Sequence, residues 1–294
     1  MSPRSLEPLL PLELEQVIFE LAAYTEPLCV PRLMLVAWRV KEWVHHLLYR
    51  ILLYSDDPEG PGGARAYPHR EDIKNYPRIF SVPPSLLKTS VRHLCLHGRG
   101  EMESFLFSAC SSLEDLWANG VTLDAISSLP LKRLYCSISD LFGEGPVDFT
   151  HPVFSGITHL EICDSVPTTE LLSGLESMPH LTHVAFNATI LSSSHELAGL
   201  VDFLRPRTLS RLRVVVLLAD GIGRPHVSVP TEVARDPRVV WMACFEYIKD
   251  WHQGALTGDD YWARAETFVG MRRAGEVEDP LRCWIEGDES RRLV

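Results

Sequence analysis

Between residues 91 and 214 one short phrase recurs six times: an apolar residue, two variable ones, an apolar residue, one variable, an apolar residue. The copies begin at Val91, Leu113, Leu131, Ile157, Leu181 and Leu209, at intervals of 22, 18, 26, 24 and 28 residues. Such an interval accommodates one short strand and a helix or loop returning to the next strand. A single unit cannot bury its own apolar face, so the units must stack into one continuous core. The expected fold class is therefore α/β, an irregular solenoid of parallel strands with helix or loop returns.

Side chains alternate along a strand, so the variable residues flanking the middle apolar one point away from that core. Stacked, they form one ladder of His93, Asp115, Arg133, His159, His183 and Arg211, and another of Cys95, Trp117, Tyr135, Glu161, Ala185 and Arg213. Trp117 beside Tyr135, with arginines nearby, has the composition of an interface anchor. The expected target-binding residues are His93, Asp115, Trp117, Arg133, Tyr135, His159, Glu161, His183, Arg211 and Arg213. On this reading Trp117→Ala weakens target binding and leaves folding nearly intact. The opposing reading has a loop from Gly143 to Gly156 burying both rings.

The N-terminal fifty residues follow another period. Leu14, Val17, Ile18, Leu21 and Ala22 stand at helical spacing behind Pro11, which suits a first turn. After Pro27 and Pro31 a second helix is expected, carrying Leu33, Val36, Ala37, Val40, Val44, Leu47 and Leu48 on one face. Leu10-Pro-Leu-Glu-Leu14, Val17-Ile-Phe-Glu-Leu21 and Leu35-Val-Ala-Trp38 together resemble an F-box. Leu47-Leu-Tyr-Arg50 running into Ile51-Leu-Leu53, the repeats, and Gly258-Asp-Asp-Tyr-Trp-Ala263 are similar to the F-box-like leucine-rich-repeat proteins abundant in mushroom-forming fungi. The resemblance implies a substrate receptor of a cullin-RING ubiquitin ligase, with Leu10, Pro11, Leu14, Ile18, Phe19 and Leu21 facing a Skp-type adaptor protein. The competing expectation is that these residues cap the first repeat, leaving a stand-alone interaction scaffold.

The expected organisation is a helical module over 1–50, a first edge strand and Pro/Gly-rich linker over 51–90, the array over 91–250, and a C-terminal capping helix with a polar tail over 251–294. Six prolines between residues 55 and 90 forbid a regular helix across that span, with a short helical piece expected near Glu71 to Asn75. Return helices are expected over Thr168–Met178 and Ser192–Leu204, a loop over Phe142–Ser155, a last strand over Arg238–Met242 and a terminal helix over Tyr261–Val269. The array departs from the leucine-rich consensus: where Asn usually follows the strand, it reads Gly98, Gly120, Ile138, Asp164, Ala188 and Val216.

A net charge of −11 argues against nucleic acid, which requires a concentrated basic surface. No apolar run approaches the ~20 residues that span a bilayer, so no membrane role is expected. Seven cysteines without a C-x-x-C pair read as reduced thiols, giving cytoplasm or nucleus as the expected location. No H-E-x-x-H, G-x-S-x-G or phosphate-binding loop occurs, so no catalytic residue, metal or cofactor is expected, and an enzyme would need an unrecognised site. His159 and His183 share a repeat position, but a flat ladder offers two imidazoles where zinc needs three or four ligands.

Overall fold

The computed structural model describes residues 10–55, 65–66, 82–97, 102–191, 194–204, 211–219, 224–243 and 247–286. The helical piece expected near Glu71, Leu209 and the tail beyond 286 lie outside the described residues.

Among the described residues ten strands form one open sheet: β1 (Ile51–Ser55), β2 (Arg65–Ala66), β3 (His93–His97), β4 (Asp115–Ala118), β5 (Arg133–Cys136), β6 (His159–Ile162), β7 (His183–Asn187), β8 (Val214–Ala219), β9 (Val239–Ala243) and β10 (Trp284–Ile285). Their spatial order is β2-β1-β3-β4-β5-β6-β7-β8-β9-β10, and all pairs are parallel except β1 with β2. Sequential neighbours thus pair throughout the array, as stacked strand-and-return units require. The strand expected at the edge, β1, is covered by β2.

The returns are α4 (Pro84–Ser90), α5 (Met102–Ala109), α6 (Leu123–Ile126), α7 (Ile138–Phe142), a 3₁₀ turn at Pro152–Gly156, α8 (Thr169–Leu175), α9 (Ala198–Phe203) and α10 (Thr231–Arg235). They pack on one face of the sheet, where Leu94, Leu116, Leu134, Leu160, Val184, Val215 and Trp241 join Leu87, Leu106, Ile126, Leu141, Phe154, Leu172 and Leu200 in one core. Local sequence sets each return. Thr168 caps α8 by accepting from Leu171 N (3.2 Å), and Leu171, Leu172 and Leu175 then fall on the buried side.

The missing Asn ladder is replaced piecemeal. Asp164 accepts from Ile138 N (2.7 Å) and Ser139 N (2.9 Å), Asp140 accepts from Gly120 N (3.0 Å), and Asn187 Nδ2 donates to Cys163 O (3.2 Å). Each side chain satisfies backbone groups of the preceding turn that the strands leave unpaired.

The segment after α7 is a loop, as expected, but it belongs to the core behind the sheet. Phe149 and Phe154 are buried there and ring Phe142 at 5.7 and 6.0 Å, so this loop does not cover Trp117.

Two boundaries change. The sixth phrase pairs in a shifted frame: His183 aligns with Val214, so the last rungs are Val214 and Val216 in place of Arg211 and Arg213. β9 is followed by β10, so Arg238–Met242 is not the last strand.

The C-terminal helices overturn the expected end cap. α11 (Tyr247–Thr257) and α12 (Tyr261–Ala274) lie over the face of the sheet opposite the returns. Tyr261, Trp262, Ala265, Phe268 and Val269 of α12 pack on Ala185, Val214, Val216, Leu218, Val240 and Met242. Each such large side chain contributes about 1.5–3 kcal/mol by leaving water, which fixes α12 in place. α11 turns back toward β1, where Trp251, Ala255 and Leu256 meet Ile51.

At the N-terminus α1 (Leu12–Thr25), α2 (Val30–Leu33) and α3 (Trp38–Val44) share a small core of Ala23, Val30, Val44 and Leu47, flanked by Phe19 and Trp43. The single second helix expected from Leu33 to Leu48 is broken: Ala37 is extended (φ −160°, ψ 157°), which leaves Leu35, Val36 and Trp38 exposed. Arg50 joins the module to the array by donating to Ala255 O at the end of α11 and lying over the Tyr24 ring. No helix among the described residues is long and apolar enough to cross a membrane.

Candidate functional site

The two sets of candidate residues have opposite fates. The ladder is ordered as the phrase implies: His93, Asp115, Arg133, His159 and His183 are register partners, as are Trp117, Tyr135, Glu161 and Ala185. Trp117 and Tyr135 stack at 4.4 Å and 16°. The ladder is nevertheless not an open surface. Asp115, Trp117, Glu161 and His183 are buried at 5, 6, 7 and 3% exposure, because α11 and α12 sit on them.

The contacts are specific. Trp251 Nε1 donates to Asp115 Oδ1 (3.1 Å), whose other oxygen meets His93 Nδ1 at 3.1 Å. Arg133 Nη1 donates to Asp260 Oδ2 (2.6 Å), while Asp260 Oδ1 caps α12 by accepting from Ala263 N (2.9 Å). The Tyr261 hydroxyl donates to Glu161 Oε2 (2.6 Å), and His183 Nε2 lies 3.0 Å from Glu266 Oε1. His159 and His183 stack at 4.0 Å beneath the edge of Trp262. Of the two arginines expected on the ladder, Arg211 donates to Glu176 O and Met178 O at the back of the array, and Arg213 reaches toward Glu266 at 3.7 Å.

Burial dominates the electrostatics. It pushes the Glu161 carboxyl up to about 8 against the Tyr261 hydrogen bond, with Asp250 and Asp260 adding to the rise. It pushes His159 down to about 2, helped by His183, Arg133 and Arg213. His183 is lowered by the same burial, with Glu266 opposing. A cavity of about 30 Å³ remains between Trp117, Tyr135, Glu161, Tyr247, Trp251 and Tyr261. That is room for about two waters, not for a substrate. Among the described residues no three His, Cys, Asp or Glu side chains converge as a metal site.

Asp260 holds both a charge partner and a helix cap, and one substitution separates the roles. Asp260→Asn retains a capping acceptor but loses the charge facing Arg133, with an expected cost of about 2 kcal/mol in urea unfolding. A cost no larger than that of an average surface change would place Arg133 in solvent.

The N-terminal candidates point outward. Leu10, Leu14, Ile18 and Leu21 are 45, 52, 51 and 61% exposed, and Pro11 is exposed at the cap of α1. Leu14, Ile18 and Leu21 stand at i, i+4 and i+7, one stripe of the helix, extended by Val17 and Tyr24. Phe19 is the exception: it faces inward, 6.4 Å from Trp43. The stripe is free because α1 packs on α3 with its other side, where Glu15 accepts from Arg39 Nη2 (2.7 Å) and Nε (3.1 Å). Leu28, Leu35, Val36 and Trp38 add exposed apolar surface on the same module. Soluble proteins seldom leave this much clustered apolar surface in water unless something binds it. The exposed turn at Leu35–Trp38 belongs to the F-box resemblance but not to the residues expected to face an adaptor, because the helical period hid the break.

No protein-family description, curated protein or solved structure matches this chain.

Proposed function

We propose that this chain is a non-catalytic receptor whose N-terminal helices dock a Skp-type adaptor and whose array carries a target protein to a cullin-RING ubiquitin ligase. The observation that carries the reading is the exposed stripe of Leu10, Leu14, Ile18 and Leu21, which is unburied although an apolar end cap would require the reverse. The F-box resemblance of these residues supplies the kind of partner. Such a receptor makes and breaks no bond; it raises the target's effective concentration beside the transferring enzyme. Cytoplasm or nucleus is the corresponding location.

The test is capture of the intact chain by a Skp-type adaptor, with Leu14→Asp/Ile18→Asp as control. Both positions are exposed, so the double variant should keep its melting temperature and lose at least about 100-fold in affinity, the penalty for burying two unpaired carboxylates. A folded intact chain that captures no adaptor would favour the stand-alone scaffold.

A further inference from the structure

The N-terminal module and the array share one continuous segment whose successive side chains enter different cores. Leu47 lies in the module core, Tyr49 packs against the core behind the sheet, and Ile51 meets α11 on the inner face. The first two stand on a 3₁₀ turn, His45–Tyr49, that rests beside α4. Two bodies joined through one such turn are free to pivot about it. A second attachment, on the other side of the sheet, removes that freedom.

α11 supplies it. The helix ends at Thr257, so Ala255 O is among the last four carbonyls, which a helix leaves without an internal partner. Arg50 Nη2 donates to that oxygen, and the same guanidinium lies 5.7 Å from the centre of the Tyr24 ring of α1. Its positive charge also suits the negative end of the α11 dipole. Beside it Leu256 of α11 faces Tyr24, Pro27, Val30 and Leu47 of the module across a void of about 10 Å³, no larger than one water. α11 is itself anchored further along the sheet, where Trp251 Nε1 donates to Asp115 Oδ1 of β4 (3.1 Å), and to α12, where Asp250 accepts from Tyr261 N (2.8 Å).

We propose that Arg50 is a positioning residue and α11 a brace, which together fix the direction in which the exposed stripe of α1 faces relative to the array. In a receptor that direction decides where the adaptor stands with respect to a target held by the array. The brace rests on the receptor reading for this purpose, but not for the geometry by which it is tested.

Nitroxides on non-natural side chains at Glu13 of α1 and Glu170 of α8, both exposed, report the direction through their separation, read by pulsed electron spin resonance on the intact chain without adaptor. The native chain should give one narrow distance distribution, and Arg50→Ala one at least about 2-fold wider. Arg50→Lys, which retains a donor for Ala255 O, should return the width close to the native one. Hydrogen exchange in β4 and α12 should be the same in all three, which separates pivoting from unfolding. A native width in folded Arg50→Ala would overturn the brace; should that variant fail to fold, Leu256→Ala takes its place with the same two outcomes. Adaptor capture is read on the same proteins. A native width with capture sinks the brace alone, and a widened distribution in a chain that captures no adaptor sinks the ligase reading alone.

Discussion

Trp117→Ala is expected to lower the unfolding free energy by about 3–5 kcal/mol, the range for truncating a buried aromatic. The indole is 6% exposed, stacked on Tyr135 at 4.4 Å and roofed by Tyr247 and Trp251. The stacked pair adds roughly 0.5–1.5 kcal/mol to what area alone supplies. Trp117→Phe keeps a ring against Tyr135 and should cost less than half as much. Urea unfolding monitored by far-ultraviolet circular dichroism reads both values. This reverses the expectation that the side chain is a dispensable surface anchor. A cost below about 1 kcal/mol, within the range of ordinary surface substitutions, would mean that the inner face is open in solution.

The repeat phrase made most of the sheet legible. Strand period and register follow directly from it across β3 to β7, because a one-residue slip would turn every buried Leu to the opposite face. At β8 two frames fit the same apolar pattern: Leu209, Leu212, Val214 and Leu212, Val215, Leu217. Periodicity cannot choose between them, and pairing selects the second. One signal could have decided it. Val214 through Leu218 is an unbroken apolar run, the mark of a strand buried on both faces. That run, repeated at Val239–Met242, also announces that something covers the face expected to be open. Tyr261, Trp262, Ala265, Phe268 and Val269 stand at the spacing of the helix that does so. The N-terminal stripe was visible as a helix, but exposure depends on which side of α1 meets α3, and no local period encodes that.

Raising the pH from 6.5 to 8 should destabilise the protein by roughly 1 kcal/mol, and Glu161→Gln should abolish that loss. Glu161 binds its proton up to about pH 8 in the folded chain, against an ordinary value of 4.5. The unfolded chain releases that proton first, so the stabilisation is fully present below pH 4.5 and drains away as pH rises through 8. Over the whole interval the loss is on the order of 5 kcal/mol, at about 1.4 kcal/mol per pH unit. His159 and His183 act in the opposite sense. Both are held neutral by burial, so the unfolded chain gains protons below pH 6.5 that the fold refuses, and stability falls toward acid. Between pH 6.5 and 8 the unfolded imidazoles lose their remaining protons, which offsets part of the loss, and the thiols that burial pushes up keep their protons in either state, so Glu161 sets the sign of the slope there. Glutamine keeps an oxygen to accept from the Tyr261 hydroxyl, but it carries no charge to desolvate. Chemical unfolding from pH 5 to 8, below the range in which the buried thiols contribute, should therefore show a maximum near pH 6.5 for the native chain. The Gln variant should keep the acid limb and lose the alkaline one. Parallel alkaline limbs in the two proteins would show that Glu161 is already ionised in the fold, with the Tyr261 hydrogen bond outweighing burial.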